Sequence, residues 1–468
     1  MINNSQVVIP IQIPNNSIWD TRTNLVNLLN NDLDFHNSNG NLLHSMHSFP
    51  AKFPPQLPRL FVESLTQKGD TVLDPMAGSG TTILEATLSN RRAIGYDLDP
   101  LAILMAKVKT SNFNKDILLR IANSIIDQAT FDLWNPEKIK EKMISAIPEK
   151  NLLFIDYWFA ADTQLELFSL SSAIKQIEDP NIRSFFELVF SSIIITKSGG
   201  VSLAFDLAHT RPHRAKIVFN KDGKIIIGNE LHGNESKREK LLTKKLKSAL
   251  EEFKKKVNSL IRSLQNDSQF SSQIFIGFSD AQRLPLKNSS IDLIISSPPY
   301  ATNAIDYMRA HKFSLVWLGY QLDDLAYIRG SEIGAESQNG VEIEHLPPET
   351  KKIIENIFRV DQQKGKALLR YYSEMKRALS EMFRVLKPDK SAIIIIGNSN
   401  IRKESTETHL CLAEIGNSIG FEIPHIGVRH IERNKRMMPV GNVKDQNSMI
   451  QQRMHEEYVI GFYKPKEG

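Results

Sequence analysis

Residues 71–97 admit few folds. Thr71-Val72-Leu73 is a short apolar, β-branched run. Asp74-Pro75-Met76-Ala77-Gly78-Ser79-Gly80-Thr81-Thr82 is a glycine-rich turn, Ile83 to Leu88 opens a helix, and Arg92-Ala93-Ile94-Gly95-Tyr96 is a second strand ending in Asp97-Leu98-Asp99-Pro100. This is a β–α–β unit, and its two strands must lie parallel in one sheet. The glycines let a ligand approach the backbone closely, and the helix N-terminus adds positive potential. An acid at the second strand tip is placed to bind a ribose diol. The turn is GSG rather than G-x-G-x-x-G, and no lysine follows it as in a P-loop. The pattern fits a ligand with a ribose and a zwitterionic tail, not a pyrophosphate. S-adenosylmethionine has that shape. A tight turn capping a helix would account for the glycines but not for Asp97.

A second strand tip carries different chemistry. Ile291 to Ile295 is a short buried strand that runs into Ser297-Pro298-Pro299-Tyr300. Neither proline has an N–H for a sheet ladder, so the strand stops there. A hydroxyl, unpartnered carbonyls and an aromatic ring are left at the carboxyl edge, where open α/β sheets bind ligands. A planar base with an exocyclic amino group suits these groups. Oxygens accept the amino hydrogens and the ring stacks. Alone, the tetrapeptide reads equally well as a proline-stiffened loop.

Several function classes drop out. A chain of 468 residues has room for two or three cores. No run approaches the ~20 apolar residues of a membrane span. The N-terminus lacks the basic and apolar regions of a secretory signal. The single cysteine, Cys411, excludes an internal disulfide and a cysteine-rich zinc site. A cytoplasmic protein without a bound metal is expected. A net charge of +5 and a pI near 8.9 permit a polyanionic partner without demanding one.

Four segments are expected. Residues 1–46 form an Asn-rich arm with one short helix, and residues 47–110 hold the glycine loop. Residues 111–270 form a mainly helical insertion. Residues 271–468 resume strand–helix alternation, with a polar, irregular flap within 301–370. Leu101 to about Asn123 reads as one helix. A hairpin is expected around Asp222-Gly223. The apolar residues from Leu242 to Leu264 place one stripe on a long helix whose lysines face solvent. Tyr157, Trp158 and Phe159 read as core. Residues 424–431 and 458–463 read as paired strands. The basic loop around Arg211 and that containing Arg433 and Arg436 are nucleic-acid candidates. Asn303, Asp306, Tyr307, Arg309 and His311 follow SPPY on a loop and helix beside the same sheet edge.

In this order, the motifs resemble those of S-adenosylmethionine-dependent DNA amino-methyltransferases. DPMAGSGTT resembles the family's cofactor loop, D-P-F-x-G-S-G-T. SPPY resembles its catalytic D/N/S-P-P-Y/F/W. HSFPAKF, residues 47–53, resembles the segment that packs on the methionine end of the cofactor. The resemblance implies an α/β fold with a Rossmann-like class I methyltransferase sheet, mostly parallel with an antiparallel C-terminal strand. It implies S-adenosylmethionine as cofactor, held by Phe49, Pro50, Lys52, Phe53, the 74–81 loop (Asp74, Pro75, Met76, Ala77, Gly78, Ser79, Gly80, Thr81), Asp97, Leu98, Asp280 and Ala281. Asp280 resembles the acid that accepts from the adenine amino group. Ser297, Pro298, Pro299 and Tyr300 are the implied catalytic residues. The insertion, by elimination, or the 429–448 loop would read the target.

The implied substrate is double-stranded DNA with the target base flipped out, and the implied partner is a cognate restriction endonuclease. Serine at the first motif position favours cytosine N4. Adenine N6, an RNA base and a non-catalytic DNA-binding subunit are the alternatives. Cytosine C5 chemistry needs a nucleophilic cysteine, typically after a proline. Cys411 follows Leu410 in a helix, so that reaction is set aside.

Overall fold

Seven strands make the central sheet: β1 (Thr71–Asp74), β2 (Arg92–Asp97), β3 (Ile274–Phe278), β4 (Ile291–Ser296), β5 (Leu386–Gly397), β6 (Glu422–His430) and β7 (Glu456–Lys464). Their order is β6-β7-β5-β4-β1-β2-β3. The pairings β5–β4, β4–β1, β1–β2 and β2–β3 are parallel, while β7 runs antiparallel to both β5 and β6. This is the expected class I methyltransferase sheet with its antiparallel C-terminal strand. The computed structural model describes residues 20–35, 41–50, 52–207, 212–229, 242–264, 270, 273–301, 306–335, 342–402, 404–431 and 456–466.

Alternation along the strands divides the core into two faces. Val72, Leu293, Ile295, Ile393 and Ile395 turn to one face. There they meet α1 (Thr21–Leu29) and α2 (Gln56–Leu65). Leu73, Ile294, Ile394 and Ile396 turn to the other. That face is covered by helices we number in chain order below.

After β1 come α3 (Thr81–Leu88) and, past β2, α4 (Pro100–Lys109). The insertion then supplies α5 (Lys115–Asp132), α6 (Pro136–Ala146), α7 (Glu149–Trp158), α8 (Ala161–Lys175), α9 (Pro180–Ile194) and α10 (Ala249–Ser263). Following β4 are α11 (Met308–Leu315), α12 (Leu322–Ser331), α13 (Pro348–Val360), α14 (Gln362–Val385) and, after β5, α15 (Thr408–Ile419). Helices α13, α14 and α15 cover the second face.

Four expectations are corrected. The helix from Leu101 breaks at Thr110. Asn114 accepts from the Ile117 N–H at 3.0 Å and starts a separate helix there. The stripe from Leu242 is not one helix. Thr243–Lys245 is a strand paired with Ile217–Phe219, and α10 begins only at Ala249, capped by Ser248. The flap is largely helical, because α11, α12 and α13 occupy most of its described residues. The hairpin is present, with Ile217–Phe219 antiparallel to Ile225–Ile227. So is the pairing of β6 with β7. Of the predicted aromatic core, Phe159 is buried and Trp158 half-buried. Tyr157 is exposed, under the Arg214 guanidinium at 4.7 Å.

Candidate active site

The strand order sets the site's layout. Asp280, Asp97, Asp74 and Ser297 lie at the carboxyl ends of β3, β2, β1 and β4, which are consecutive neighbours. With strands about 4.8 Å apart, the four tips span roughly 14 Å. That length suits an extended ligand lying across β3, β2 and β1, with a second ligand at β4.

The floor is the 74–81 loop. Gly78 and Gly80 take positive φ, 49° and 77°. At Gly80 the reason is also contact, since a Cβ there would lie 2.7 Å from the Ala106 Cβ and 2.9 Å from its Cα on α4. A Cβ on Gly78 would reach the Phe49 ring at 3.4 Å. The Gly78 N–H donates to Asp97 Oδ2 at 2.7 Å, and the Asp99 N–H to Oδ1 at 2.9 Å. The loop and the β2 tip are thus one unit.

Asp74 is buried. Its Oδ1 accepts from the Ser296 hydroxyl at 2.7 Å and from the Met76 N–H at 3.2 Å. Loss of hydration outweighs these bonds and pushes its carboxyl up to about 7. Burial, then the neighbouring Asp99, pushes Asp97 up to about 6. Acids held so close to neutrality favour a cation arriving beside them. Asp280 is half-buried and accepts from the Gln282 backbone N–H at 2.9 Å. Ala281 is buried in the core next to it.

The 47–53 segment closes over the loop. Phe49 stacks on Tyr307 with centroids 4.5 Å apart. The Tyr307 hydroxyl reaches the Pro50 carbonyl at 3.4 Å, and Lys52 Nζ donates to the His44 carbonyl at 2.7 Å. Phe53 packs with the cluster under α1 and α2. Two buried residues complete the frame, His311, expected beside this edge, and Lys109, which carried no sequence signal. Buried His311 of α11 bonds Asp99 through Nδ1. Buried Lys109 of α4 donates to the Ser79 carbonyl at 2.6 Å.

At β4 the SPPY turn is anchored on both flanks. The Ser399 hydroxyl donates to the Ala301 carbonyl at 2.8 Å, and the Tyr300 hydroxyl to Glu457 Oε1 at 2.7 Å. Pro298 is buried, whereas Ser297, Pro299 and Tyr300 are half-buried. Arg309 pairs with Asp306 at 2.7 Å. Asn303, Arg211, Arg433 and Arg436 lie outside the described residues.

This geometry can be set beside known proteins. A family model described as DNA methylase, of the N6/N4 type, matches residues 12–108. The type II methyltransferase M.MvaI of Kocuria varians is 24% identical over 449 residues, covering 92% of this chain and 91% of its own. M.BsoBI of Geobacillus stearothermophilus, also a type II methyltransferase, is 23% identical over 428 residues, 81% and 79% of the two chains. The chain is thus similar to N6/N4-type DNA methylases at its glycine loop and to type II methyltransferases over most of its length. Among solved structures, a SAM-dependent methyltransferase of Methanosarcina mazei overlays 87% of this chain and 98% of its own, at 10% identity and a TM-score of 0.29. The strand order, not that loose overlay, defines the fold. S-adenosylmethionine is the chain's cofactor. A tightly turned glycine loop joined to the acid at the β2 tip fits such a cofactor.

Proposed function

We propose that this methyltransferase is a type II enzyme that methylates the exocyclic N4 amino group of cytosine in double-stranded DNA. One observation carries most of the weight. β1 and β4 are adjacent, and Ser296, the residue before SPPY, bonds Asp74 at the head of the glycine loop. Donor and acceptor sites therefore share one sheet edge. Two relatives that align over most of this chain bear the type II name. Serine at position 297 favours cytosine over adenine, by the family's usual sorting.

Asp97 and Leu98 would hold the cofactor's ribose, and Asp280 and Ala281 its adenine. Phe49, Pro50, Lys52 and Phe53 would line its methionine end with Asp74. Pro75, Met76, Ala77, Gly78, Ser79, Gly80 and Thr81 would form the floor. When bound, S-adenosylmethionine supplies an electrophilic methyl group on a sulfonium.

The base amino group is a poor nucleophile, because its lone pair is delocalised into the ring. Ser297 Oγ and the Pro298 carbonyl accept its two hydrogens, draw the nitrogen towards a tetrahedral shape and free that lone pair. Tyr300 stacks on the base, a contact of ~1–3 kcal/mol by comparison with other base–aromatic stacks. That contact offsets part of the few kcal/mol needed to flip the base out of the duplex. Alignment of the two reactants supplies much of the remaining acceleration. Tyr307 and Arg309 flank the entrance from α11. The biological setting is restriction–modification, with the methyl mark protecting DNA from an endonuclease that cuts the same sequence.

The test is chemical. DNA from cells expressing the protein is digested to nucleosides and weighed. N4-methylcytosine is expected. N6-methyladenine alone would overturn the base assignment while leaving the amino-methyltransferase site intact.

A further inference from the structure

The ladder between β4 and β5 stops one residue before SPPY, where Ser296 lies opposite Ile394. Pro298 and Pro299 then have no N–H, so the turn has no donors of its own at those positions. It is held from outside instead. Upstream, the Ser296 hydroxyl ties it to Asp74 on β1. Downstream, the Ser399 hydroxyl donates to the carbonyl of Ala301, the residue after Tyr300, at 2.8 Å. Ser399 sits just past the end of β5, the strand beside β4. It is 5% exposed, and Ala301 is fully buried.

Ser399 is itself fixed by a closed set of bonds. Its N–H donates to Thr406 Oγ1 at 3.2 Å, and its carbonyl accepts the Thr406 N–H at 2.9 Å. Thr406 Oγ1 donates to Asn398 Oδ1 at 2.9 Å, and the Thr408 N–H reaches the same oxygen at 3.1 Å. Asn398 Nδ2 donates to the Ser405 hydroxyl at 2.8 Å. From α14, the Tyr372 hydroxyl donates to the Thr406 carbonyl at 2.8 Å. Thr406, Thr408 and Tyr372 are fully buried. The chain after β5 is thereby folded back on itself, with Asn400–Ile401 antiparallel to Glu404–Ser405.

Apolar side chains would fill this space without the need to find partners for so many buried polar groups. What the polar set adds is position. It places one hydroxyl on the carbonyl that follows Tyr300. A carbonyl only accepts, so the serine supplies the proton. The Pro298 carbonyl and the Tyr300 ring are both within three residues of that anchor.

We propose that Ser399 is a positioning residue that acts through the Ala301 backbone, fixing the SPPY turn so that the Pro298 carbonyl and the Tyr300 ring meet the base in line with the methyl donor. This rests on the reading of SPPY as the base-binding site.

The measurement is single-turnover transfer of labelled methyl from S-adenosylmethionine to unmethylated genomic DNA, with cofactor affinity titrated separately. Ser399→Ala removes only the hydroxyl. Displacing a reacting group by about 1 Å can cost about a hundredfold in rate. Ser399→Ala is expected to slow transfer about tenfold or more, equivalent to about 1.4 kcal/mol in the barrier. Cofactor affinity should stay at the wild-type value, since β1, β2 and β3 lie on the far side of β4 from β5. Ser399→Thr keeps the hydroxyl and should recover most of the rate.

A Ser399→Ala enzyme as fast as wild type would overturn the inference. So would a loss of cofactor affinity by the same factor as the rate, which marks a general loosening of the fold, or a Ser399→Thr enzyme as slow as Ser399→Ala. Should Ser399→Ala not fold, Thr406→Val decides. It leaves the Ser399 hydroxyl but removes the group that receives the Ser399 N–H, so slowed transfer at wild-type cofactor affinity is expected, and a wild-type rate would overturn the inference. Ser297→Ala and Tyr300→Ala test the underlying reading. If both retain transfer, SPPY is not the base site. If both lose it while Ser399→Ala stays at the wild-type rate, only the role of Ser399 fails.

Discussion

At Asp74, burial works against charge. The carboxyl accepts two hydrogen bonds, which favour ionisation, yet desolvation lifts it from 3.8 to about 7. The consequence for stability has a definite sign. A carboxyl whose folded value lies above its unfolded value binds its proton more tightly in the fold. Its contribution is complete below the unfolded value and is lost as pH rises through the folded one. The window here runs from near 4 to about 7, and the amount lost is on the order of a few kcal/mol. Asp74→Asn removes this titration while keeping an oxygen for Ser296. The melting temperature of the variant relative to wild type should therefore climb from about pH 5 to about pH 8. A pH-independent difference would show that Asp74 is already ionised in the folded protein. Asp97, raised to about 6, adds a trend of the same sign to both proteins, and its charge is itself one of the causes that lift Asp74.

Helix α4 shows how one element shapes the cofactor loop. Ala106 and Lys109 are three residues apart, so they share a face. Ala106 presses against Gly80, and Lys109 reaches the Ser79 carbonyl. Burial, with Lys52 nearby, lowers the Lys109 amine well below its usual range. A neutral amine still donates. Lys109→Met keeps the length and removes the donor, leaving a buried carbonyl without its partner, a loss of about 1–3 kcal/mol. Because that carbonyl belongs to the glycine loop, isothermal titration should show S-adenosylmethionine affinity falling about tenfold. Unchanged affinity would mean that the loop holds its shape without α4.

What the chain revealed in advance follows from the same distinction between local and distant causes. The glycine loop, the strands on either side of it and the proline-stopped β4 are written in consecutive residues, and so they were legible. Lys109 was not, since nothing in helical periodicity says that a lysine turns inward to a loop it meets only in three dimensions. The early end of α4 was legible in principle, because Asn114 precedes Lys115-Asp116 as a helix cap. The apolar residues on either side, up to Val108 and again from Ile117, masked it. The helices of the supposed flap were obscured by acids and glycines that suggested a loop. Leu325 on α12 and Ile354 and Ile357 on α13 are nonetheless buried.

At the scale of the whole molecule, the insertion is part of the fold's support. The ends of the inserted segment meet, since Asn112 Nδ2 donates to the Phe270 carbonyl at 3.1 Å and the Phe270 N–H returns to Asn112 Oδ1 at 3.4 Å. By chain geometry, then, residues 115–263 could be excised and the gap closed with a short Gly-Ser linker. The core argues otherwise. One apolar cluster joins Leu101, Leu104, Met105 and Val108 of α4 to Phe185, Phe186, Phe190 and Phe253 of the insertion, and to Phe313 and Trp317 at α11. Excision would expose the α4 and α11 side chains together. At about 1.5–3 kcal/mol for each large apolar side chain, the loss is of the order of 10 kcal/mol, comparable to the ~5–15 kcal/mol that holds an ordinary domain together. The excised chain should therefore show no cooperative urea transition, and should bind neither S-adenosylmethionine nor DNA. Cooperative unfolding with retained cofactor binding would mean that the sheet and its own helices suffice, and that the insertion serves the target alone.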